Sequence, residues 1–303
     1  MRVIVTGSCG FIGRHLVRRL RQDGHDVLGV GASPGPAEGP AGSRYVCWNA
    51  AHGEGLPPAG WKSEPFTLID LAWDTKRPRH YGVHARHVAR LALLLDRLTP
   101  LGLAGFIGTG TAEEFGQRGG LLEADDPPGG RMSAYGWGKH AARVLMETWS
   151  GASGVPAYWL RPFLVYGPGQ TGDMALPYAL RQARAGTVAN FSDGLQQRDF
   201  VYVGDVAEAF ARAVVRPRPG FHAVNLGSGV GVPLLDVLAY LGGLLGAHDC
   251  FRFGTRPRRT GEPAVQVART ERAASLLGWR AATDWQAGIR KLVEMESEAA
   301  WAA

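Results

Sequence analysis

The chain has 303 residues, 45% of them hydrophobic and 20% charged, which are ordinary values for a globular protein. Its formal net charge of +6 comes mostly from arginine, and no basic run with interleaved aromatic residues indicates a nucleic-acid surface. Three widely spaced cysteines predict neither a disulfide framework nor a zinc site. No apolar run reaches the ~20 residues that a membrane-spanning helix needs, and the first strand leaves no room for a signal peptide. We therefore expect a cytoplasmic protein that binds neither nucleic acid nor membrane.

Short apolar runs alternate with stretches of helical periodicity through the first half of the chain. The apolar runs predict strands at 2–7, 26–30, 67–73, 102–110 and 155–163. Helical spacing of apolar residues predicts helices at 11–24, at 81–98 and from about residue 133. The Gly- and Pro-rich stretch 31–43 predicts a surface loop. Strands that alternate with helices favour an α/β fold, in which a doubly wound parallel sheet is covered on both faces.

The pattern loosens after about residue 170. Short strands and turns separate helices that are predicted near 173–185, 204–215, 232–245 and 284–298. This change favours a smaller carboxy-terminal lobe folded against the first. We therefore predict an amino-terminal domain at 1–168 and a lobe at 169–303, with the chain free to cross between them more than once.

The segment VTGSCGFIG places three glycines, Gly7, Gly10 and Gly13, between the first strand and the first helix. In that position the backbone can approach a pyrophosphate closely, and the amide groups at the helix start favour its negative charge. The alternative is a tight turn without a ligand, but the strand–turn–helix context favours binding. The amino-terminal domain is thus predicted to bind a dinucleotide.

The end of the second strand bears on which dinucleotide is bound. Dinucleotide folds often carry an acidic residue there, which binds the ribose 2′-hydroxyl. Here the strand reads DVLGVGAS, and no acidic residue follows it. An acid would repel a 2′-phosphate, so its absence leans towards NADP, with NAD as the alternative. Ser33 and Arg44 are the nearby candidates to contact this part of the cofactor.

Tyr135 and Lys139 lie four residues apart at the start of a predicted helix, and therefore on one helix face. A neighbouring ammonium favours the phenolate and would bring the phenol pKa towards neutrality. Such a pair can exchange a proton with a carbinol oxygen while a nicotinamide exchanges a hydride. The intervening Gly136 and Gly138 are expected to clear space for cofactor and substrate. An exposed helix pair is the alternative.

Further motifs extend this pattern along nearly the whole chain: TGSCGFIG, LIDLAW, GTGTAEEFG, YGWGK, LRPFLVYGPGQ, QQRDFVYVGDVAEAF, NLGSG and LLGW. With them the sequence resembles the extended short-chain dehydrogenase/reductase family, in its nucleotide-sugar epimerase/dehydratase branch. The resemblance implies a Rossmann domain with a smaller substrate-binding lobe, and a homodimer formed through two helices of each subunit.

The resemblance also implies roles for individual residues. Thr111, Tyr135, Lys139 and Glu113 take the catalytic positions, with Tyr135 as acid and base. The cofactor-binding positions are Gly7, Gly10, Phe11, Ile12, Gly13, Ser33, Leu71, Ala72, Tyr135 and Lys139. Thr111 also contacts the substrate, and Arg198 and Arg259 match arginines that hold its diphosphate. The alternative for Arg198 is an ion pair with Asp199 or Asp205 between the lobes.

Three departures from the family pattern bear on the reaction. Family dehydratases carry an Asp-Glu pair after the Thr, but here Ala112 takes the Asp position and Glu113 remains, so the dehydratase interpretation is weakened. Leu164 replaces a substrate-contacting asparagine, and His87 lies nearest to the position of another. His80, His84 and His87 share one helix face, but no acidic or cysteine partner accompanies them, and we predict no metal site.

The sequence thus predicts an oxidoreductase of nucleotide sugars. The first hypothesis is reduction of a nucleoside-diphosphate 4-keto-(6-deoxy)hexose at C4, with Tyr135 as proton donor. The alternative within the class is a 4-epimerase that keeps NAD tightly bound. The alternative of another class is a non-catalytic dinucleotide-sensing protein, which the Tyr135–Lys139 pair argues against.

Overall fold

The computed structural model describes residues 1–31, 39–47 and 64–297, with side chains up to 295. Its strands are β1 Arg2–Thr6, β2 Asp26–Gly31, β3 Arg44–Cys47, β4 Phe66–Asp70, β5 Leu103–Thr109, β6 Gly120–Leu122, β7 Ala157–Pro162, β8 Leu164–Tyr166, β9 Ala189–Asn190, β10 Gln197–Tyr202, β11 Phe221–Leu226, β12 Gly231–Pro233, β13 Phe251–Arg252 and β14 Val265–Ala268. Its α-helices are α1 Phe11–Gln22, α2 Tyr81–Leu98, α3 Ala134–Ser153, α4 Ala175–Arg184, α5 Val203–Val215, α6 Leu234–Leu245, α7 Glu271–Leu277 and α8 Trp285–Ser297.

The large sheet has seven parallel strands in the order β3-β2-β1-β4-β5-β7-β11. Side chains alternate between its faces, so Val3 and Val5 pack with α1 and α5, whereas Ile4 packs with α2 and α3. Both faces are thus covered, which confirms the predicted doubly wound α/β fold. Strand order reverses between β1 and β4, and a ligand crevice is expected at the carboxyl ends of these strands.

A smaller lobe is built on a second sheet, in which β10 lies between β12 and β14, β6 pairs with β14, and β8 also pairs with β10. Its apolar core, which includes Phe191, Phe200 and Phe251, packs against α4, α6 and α8. The chain crosses between lobes, because β11 pairs with β7 in the large sheet and α5 packs on α1. The division at residue 168 stays a prediction.

The predicted helices lie close to those observed, and the helix predicted at 81–98 has the same bounds as α2. The predicted loop 31–43 lies partly outside the described residues, and within it 40–42 form one 3₁₀ turn. None of the helices that the structure describes has both the length and the apolar character needed to cross a membrane.

Candidate active site

The glycine loop between β1 and α1 has the tight backbone that a pyrophosphate site needs. Gly7 has a φ of +67°, and a methyl group there would lie 3.0 Å from the backbone of Leu71 and Ala72. A methyl group on Gly13 would overlap the carbonyl oxygen of Gly7. The loop therefore permits close approach of backbone to backbone, and α1 begins beside it at Phe11, with its first amide groups available to an anion.

A buried ion pair fixes the second segment of this crevice, Leu71–Ala72. Asp70 is 6% exposed at the end of β4, where Arg90 donates to its carboxylate at 2.7 and 2.9 Å. Thr6 donates to the same carboxylate at 2.5 Å and accepts from the Ala72 N–H at 3.2 Å. Burial alone would raise the pKa of Asp70, but Arg90 and Thr6 outweigh burial and lower it. The predicted cofactor residues Gly7, Leu71 and Ala72 are thus brought together.

The structure brings Thr111, Tyr135 and Lys139 together where the loop after β5 meets the start of α3. Thr111 precedes a short 3₁₀ helix, and its side chain accepts from the Glu113 N–H at 3.3 Å. The same side chain lies beside the phenol of the half-buried Tyr135, close enough to lower its pKa. One helical turn later, Lys139 is 3% exposed. This is the arrangement in which a phenol and a hydroxyl can share a reacting oxygen.

Lys139 is held by two groups. Its Nζ donates to the Thr109 carbonyl at 2.7 Å and lies 4.1 Å from the centroid of the Trp73 ring. Burial lowers the pKa of Lys139 to about 8, against opposing effects of Asp70 and Glu114. The ammonium is thus fixed at the base of the site.

The predicted effect of Lys139 on Tyr135 differs from what the structure shows. Desolvation of the hydroxyl and the nearby charge of Glu113 raise the pKa of Tyr135, and the hydrogen bond from Thr111 opposes them. The phenol is therefore neutral in this structure. A neutral phenol is the form that donates a proton. The four-residue spacing alone therefore overestimates how far the Lys139 ammonium lowers the pKa of Tyr135.

The two glycines between Tyr135 and Lys139 have a different role from the predicted one. A methyl group on Gly136 would overlap the carbonyl oxygen of Glu113. A methyl group on Gly138 would lie 2.5 Å from His84 Cβ and 3.2 Å from Trp73 Cζ2. These glycines therefore let α3 pack closely against the Thr111 loop and α2, and they do not themselves open space for a ligand.

The adjacent acids Glu113 and Glu114 differ completely in environment. Glu113 is exposed, and the Ser133 hydroxyl donates to it at 2.5 Å. Glu114 is 1% exposed and accepts from Arg161 at 3.2 Å, from Trp159 Nε1 at 3.0 Å and from the Thr111 N–H at 2.8 Å. Glu114 therefore positions the Thr111 backbone, whereas Glu113 is the acid that faces the Tyr135 end of the site.

Two of the three histidines of the predicted helix face, His84 and His87, stack against Trp73 and accept different hydrogen bonds. His84 is fully buried and accepts from Trp73 Nε1 at 3.1 Å, and His87 Nε2 accepts from the Asp74 N–H at 3.1 Å. Burial, together with Arg90 and Lys139, lowers the pKa of His87 to about 4. Among the residues that the structure describes, no three His, Cys, Asp or Glu side chains are grouped to hold a metal ion.

The predicted diphosphate residues lie in the smaller lobe. Arg198, on β10, donates to Glu262 at 2.6 Å and not to Asp199 or Asp205. Arg259 is exposed, and its carbonyl accepts from the Glu262 N–H at 3.0 Å. Burial lowers the pKa of Arg198, Glu262 opposes this, and nearby Arg258 and Arg259 lower it further.

Arg198 is linked to the Thr111 loop through one neighbour. Across β10 and β14 it pairs with Gln266, whose side-chain amide donates to the Ala112 carbonyl at 3.4 Å. Leu164, which replaces the substrate-contacting asparagine of the family, lies on β8 and packs against the apolar core of the smaller lobe. Arg198 is thus connected through Gln266 to the loop that carries Thr111.

Of the two residues predicted to approach the ribose, the structure describes Arg44, which is directed elsewhere. Arg44 donates to Asp26 at 2.8 Å, and Asp26 begins β2 at the end opposite to the glycine loop. Ser33 lies outside the described residues.

Comparison with known proteins decides the family. The model of the NAD dependent epimerase/dehydratase family matches residues 3–48 and 69–227. The chain belongs to this family. The epimerase/dehydratase assignment confirms the resemblance found in the sequence, and the chain is therefore an enzyme.

Individual members of the epimerase/dehydratase family are similar over the whole chain. The UDP-glucose 4-epimerase of Mycolicibacterium smegmatis is 30% identical over 315 residues, covering 97% of this chain and 98% of the relative. The solved structure of MoeE5 in complex with UDP-glucose and NAD is 28% identical, with a TM-score of 0.87 over 99% of each chain. That of a Thermus thermophilus UDP-glucose 4-epimerase complex with NAD is 26% identical, with a TM-score of 0.84 over 99% of this chain and 100% of its own.

Sequence reasoning missed several residues of this epimerase/dehydratase site. The sequence motifs point to Glu113 but not to Glu114, and they predict no role for Trp73, Asp70 or Arg90. One signal was available, because an acid that ends an apolar strand is expected to be buried and must then be paired. No sequence signal pointed to the contact between Trp73 and Lys139.

Proposed function

We propose that this enzyme is an NAD-dependent 4-epimerase of a nucleoside-diphosphate hexose. The observation that carries the proposal is the placement of the Thr111 side chain beside the Tyr135 phenol, with the buried Lys139 one helical turn away. The relatives named above as UDP-glucose 4-epimerases make UDP-glucose the first substrate to test. The glycine loop, where methyl groups on Gly7 and Gly13 have no room, fits the pyrophosphate of a dinucleotide.

Tyr135, Thr111 and Lys139 each have a separate role in the proposed reaction. Bound NAD supplies the hydride acceptor and donor for C4. As a phenolate, Tyr135 takes the proton of the C4 hydroxyl as the hydride leaves, and the phenol formed in this way returns that proton when the hydride comes back. Thr111 holds the reacting oxygen through its hydroxyl, and Lys139 binds the nicotinamide ribose. A protonated Tyr135 suits the return step, in which the C4 carbonyl oxygen must receive a proton.

Ala112 argues against a dehydratase reaction, which eliminates water. With Ala112 in place of an acid, only Glu113 remains of the dehydratase pair, and Ser133 bonds its carboxylate at 2.5 Å. Glu114 is occupied by Arg161 and Trp159 and gives no second acid. Redox chemistry at C4 without elimination is therefore favoured. We assign to Glu113 a hydrogen bond to a substrate hydroxyl.

Reduction of a nucleoside-diphosphate 4-keto-(6-deoxy)hexose is the second candidate, because it uses the same residues without the elimination acids. The two reactions differ in their hydride balance. An epimerase converts UDP-glucose to UDP-galactose with no net change in NADH absorbance, and releases NAD when it is denatured. A ketoreductase consumes one NADH for each keto sugar reduced. A protein that binds the cofactor and catalyses neither reaction would support the non-catalytic sensing alternative.

Arg198 and Arg259 are proposed to bind the diphosphate of the sugar nucleotide. A guanidinium donates two parallel hydrogen bonds to phosphate oxygens and keeps its charge at all relevant pH values. Arg198 is already oriented by Glu262, and Arg259 precedes that acid by one turn. The substrate therefore has to share or replace the carboxylate of Glu262.

NAD is proposed as the cofactor in place of the NADP that the sequence favoured. Both solved relatives described above contain NAD. Arg44, the basic residue predicted to be nearest to a 2′-phosphate, is directed instead towards Asp26 at 2.8 Å. Binding of both reduced cofactors, followed by fluorescence, tests this assignment, and tighter binding of NADPH would contradict it.

A homodimer through α2 and α3 is also proposed. These helices pack on each other and expose apolar side chains, among them Tyr81, Leu93 and Val144 at 57%, 58% and 44%. Light scattering coupled to gel filtration measures the assembly. We expect Leu93→Asp to yield monomers, whereas Leu195→Asp, also 58% exposed but in the smaller lobe, leaves the dimer intact. A monomeric parent protein would contradict the proposal.

A further inference from the structure

The carboxyl end of β2 lacks the side chain that usually recognises the adenosine ribose. In dinucleotide folds an acid at this position accepts a hydrogen bond from the ribose hydroxyl. Here β2 ends at Gly31, which offers no side chain. The space beside Gly31 is nevertheless filled.

Tyr45 fills it from the neighbouring strand. β3 runs parallel to β2 with Tyr45 beside Gly29, and the Tyr45 side chain extends along the sheet to Gly31. A methyl group on Gly31 would overlap the Tyr45 hydroxyl and lie 3.0 Å from its ring carbon Cζ. Gly31 and Tyr45 are therefore complementary, because the ring can lie there only if residue 31 has no side chain.

The hydroxyl of Tyr45 also faces the glycine loop. Burial raises the pKa of Tyr45, and the thiols of Cys9 and Cys47 add to this effect. Cys9 belongs to the glycine loop, and Cys47 ends β3 opposite Gly31. The carboxyl ends of β1, β2 and β3 thus converge on one neutral phenol, which can both donate and accept a hydrogen bond.

The basic side chain carried by β2 and β3 is directed away from this corner. Between residues 39 and 47 the one basic side chain is Arg44, which is directed to Asp26 at the opposite end of β2. Arg14, on α1, donates instead to the Cys9 carbonyl of the glycine loop at 3.3 Å. A 2′-phosphate would need such a cation, whereas a hydroxyl needs only a neutral hydrogen-bonding partner.

We propose that Tyr45 is the residue that determines cofactor specificity, and that its hydroxyl hydrogen-bonds the adenosine ribose 2′-hydroxyl of NAD in place of an acid on β2. The inference rests on the proposed dinucleotide-dependent function and adds to it the residue that selects NAD over NADP.

Binding of NAD and of its 2′-deoxyadenosine analogue, each titrated into protein stripped of bound nucleotide, tests the proposal. The parent protein should bind NAD about 3- to 10-fold more tightly than the analogue, the range expected for one hydrogen bond. Tyr45→Phe keeps the ring and loses only the hydroxyl, so it should bind both ligands with the weaker affinity. Tyr158→Phe, whose hydroxyl bonds the Arg216 carbonyl elsewhere, should behave like the parent.

The outcomes separate this inference from the function on which it rests. If the parent binds no dinucleotide, the proposed function itself fails. If the parent binds NAD but Tyr45→Phe still discriminates between NAD and the analogue, only the role of Tyr45 is overturned. The same holds if Tyr45→Leu weakens binding while Tyr45→Phe does not, because the ring and not the hydroxyl would then be the contact. NADP binding by the parent as tight as that of NAD also overturns it.

Discussion

Two regions that contribute to the site hold their charged side chains in opposite ways. In the catalytic corner, formed by Thr111, Glu114, Tyr135 and Lys139, the ionic groups are buried, with Glu114 1% and Lys139 3% exposed. In the arginine corner, formed by Arg198, Arg258, Arg259 and Glu262, Arg198 and Glu262 are partly accessible, and the other two arginines lie on the surface. Chemistry requires fixed distances, whereas capture of a flexible diphosphate requires groups that can exchange partners.

The difference also has an energetic side. A buried ion is tolerated only when its partners replace the lost hydration, so removal of one partner is costly. An exposed ion pair is already hydrated and contributes little to stability. Substitutions in the catalytic corner should therefore affect folding as well as turnover, and those at the surface residues of the arginine corner, Arg258 and Arg259, should affect mainly binding.

The largest effect is expected from Tyr135→Phe, which removes the proton donor of the catalytic corner and leaves its packing in place. Turnover should fall by roughly 10²- to 10⁴-fold, the usual contribution of general acid–base catalysis, while NAD affinity is retained. Steady-state assays and cofactor titration measure the two quantities, with Tyr240→Phe as a matched control. More than about a tenth of the parent activity would contradict the role of Tyr135.

Glu114→Leu removes the buried carboxylate that supports the catalytic corner. It leaves the guanidinium of Arg161 buried without its carboxylate and the Thr111 N–H without its acceptor, so the free energy of unfolding should fall by about 3–5 kcal/mol. Urea denaturation measures the change. Arg258→Met, which breaks the exposed pair with Asp193 in the arginine corner, should leave the urea midpoint nearly unchanged. Equal losses in the two variants would remove the contrast drawn between the corners.

Arg198→Ala and Arg259→Ala test the arginine corner. Each should weaken UDP binding by about 1.5–3 kcal/mol, as expected for lost hydrogen bonds to a charged group, with NAD affinity unchanged. Glu262→Gln should strengthen UDP binding, because the diphosphate no longer competes with a carboxylate for Arg198. Calorimetry measures all three, with Arg21→Ala on α1 as control. If the parent binds no UDP, or both arginine variants bind it equally well, the sugar-nucleotide assignment fails.

The smallest effect on stability is expected from alanine substitutions at two glycines of α3. Gly138→Ala places a methyl group 2.5 Å from His84 Cβ, and overpacking of this kind costs about 1–3 kcal/mol. Gly151→Ala meets no atom within 4 Å and should stabilise the protein by about 0.5–1 kcal/mol through helix propensity. Thermal unfolding of both variants checks the sign. Stabilisation of both would show that α3 does not need a close approach at Gly138.

Much of this molecule could be predicted from local pattern. Periodicity located α2 at its observed bounds, because its apolar residues recur every three or four positions against the large sheet. Spacing predicts the pairing of Tyr135 with Lys139, and the family resemblance adds Thr111, since the loop after β5 and the start of α3 each carry a recognisable sequence. These features depend on neighbours in the chain.

The features that could not be predicted depend on contacts between distant segments. Glu114 meets Arg161 across 47 positions, and the role of Gly138 depends on His84 in another helix. The pKa of Tyr135 is raised by desolvation, which a four-residue spacing cannot reveal. Tyr45 reaches the end of β2 only because β3 lies beside it. Each of these requires knowledge of which strands and helices are neighbours.

The pairing of β11 with β7 in the large sheet limits how the two lobes can be recombined. Residues 221–226 cover the edge of β7, although they follow the first strands of the smaller lobe in the chain. In a fragment that ends at residue 168, the backbone N–H and C=O groups at one edge of β7 would be unpaired. Such an unpaired edge promotes aggregation. Recombination at a single junction therefore cannot exchange the smaller lobe as an independent unit. New sugar specificities in this architecture are more readily reached by substitutions within an intact chain.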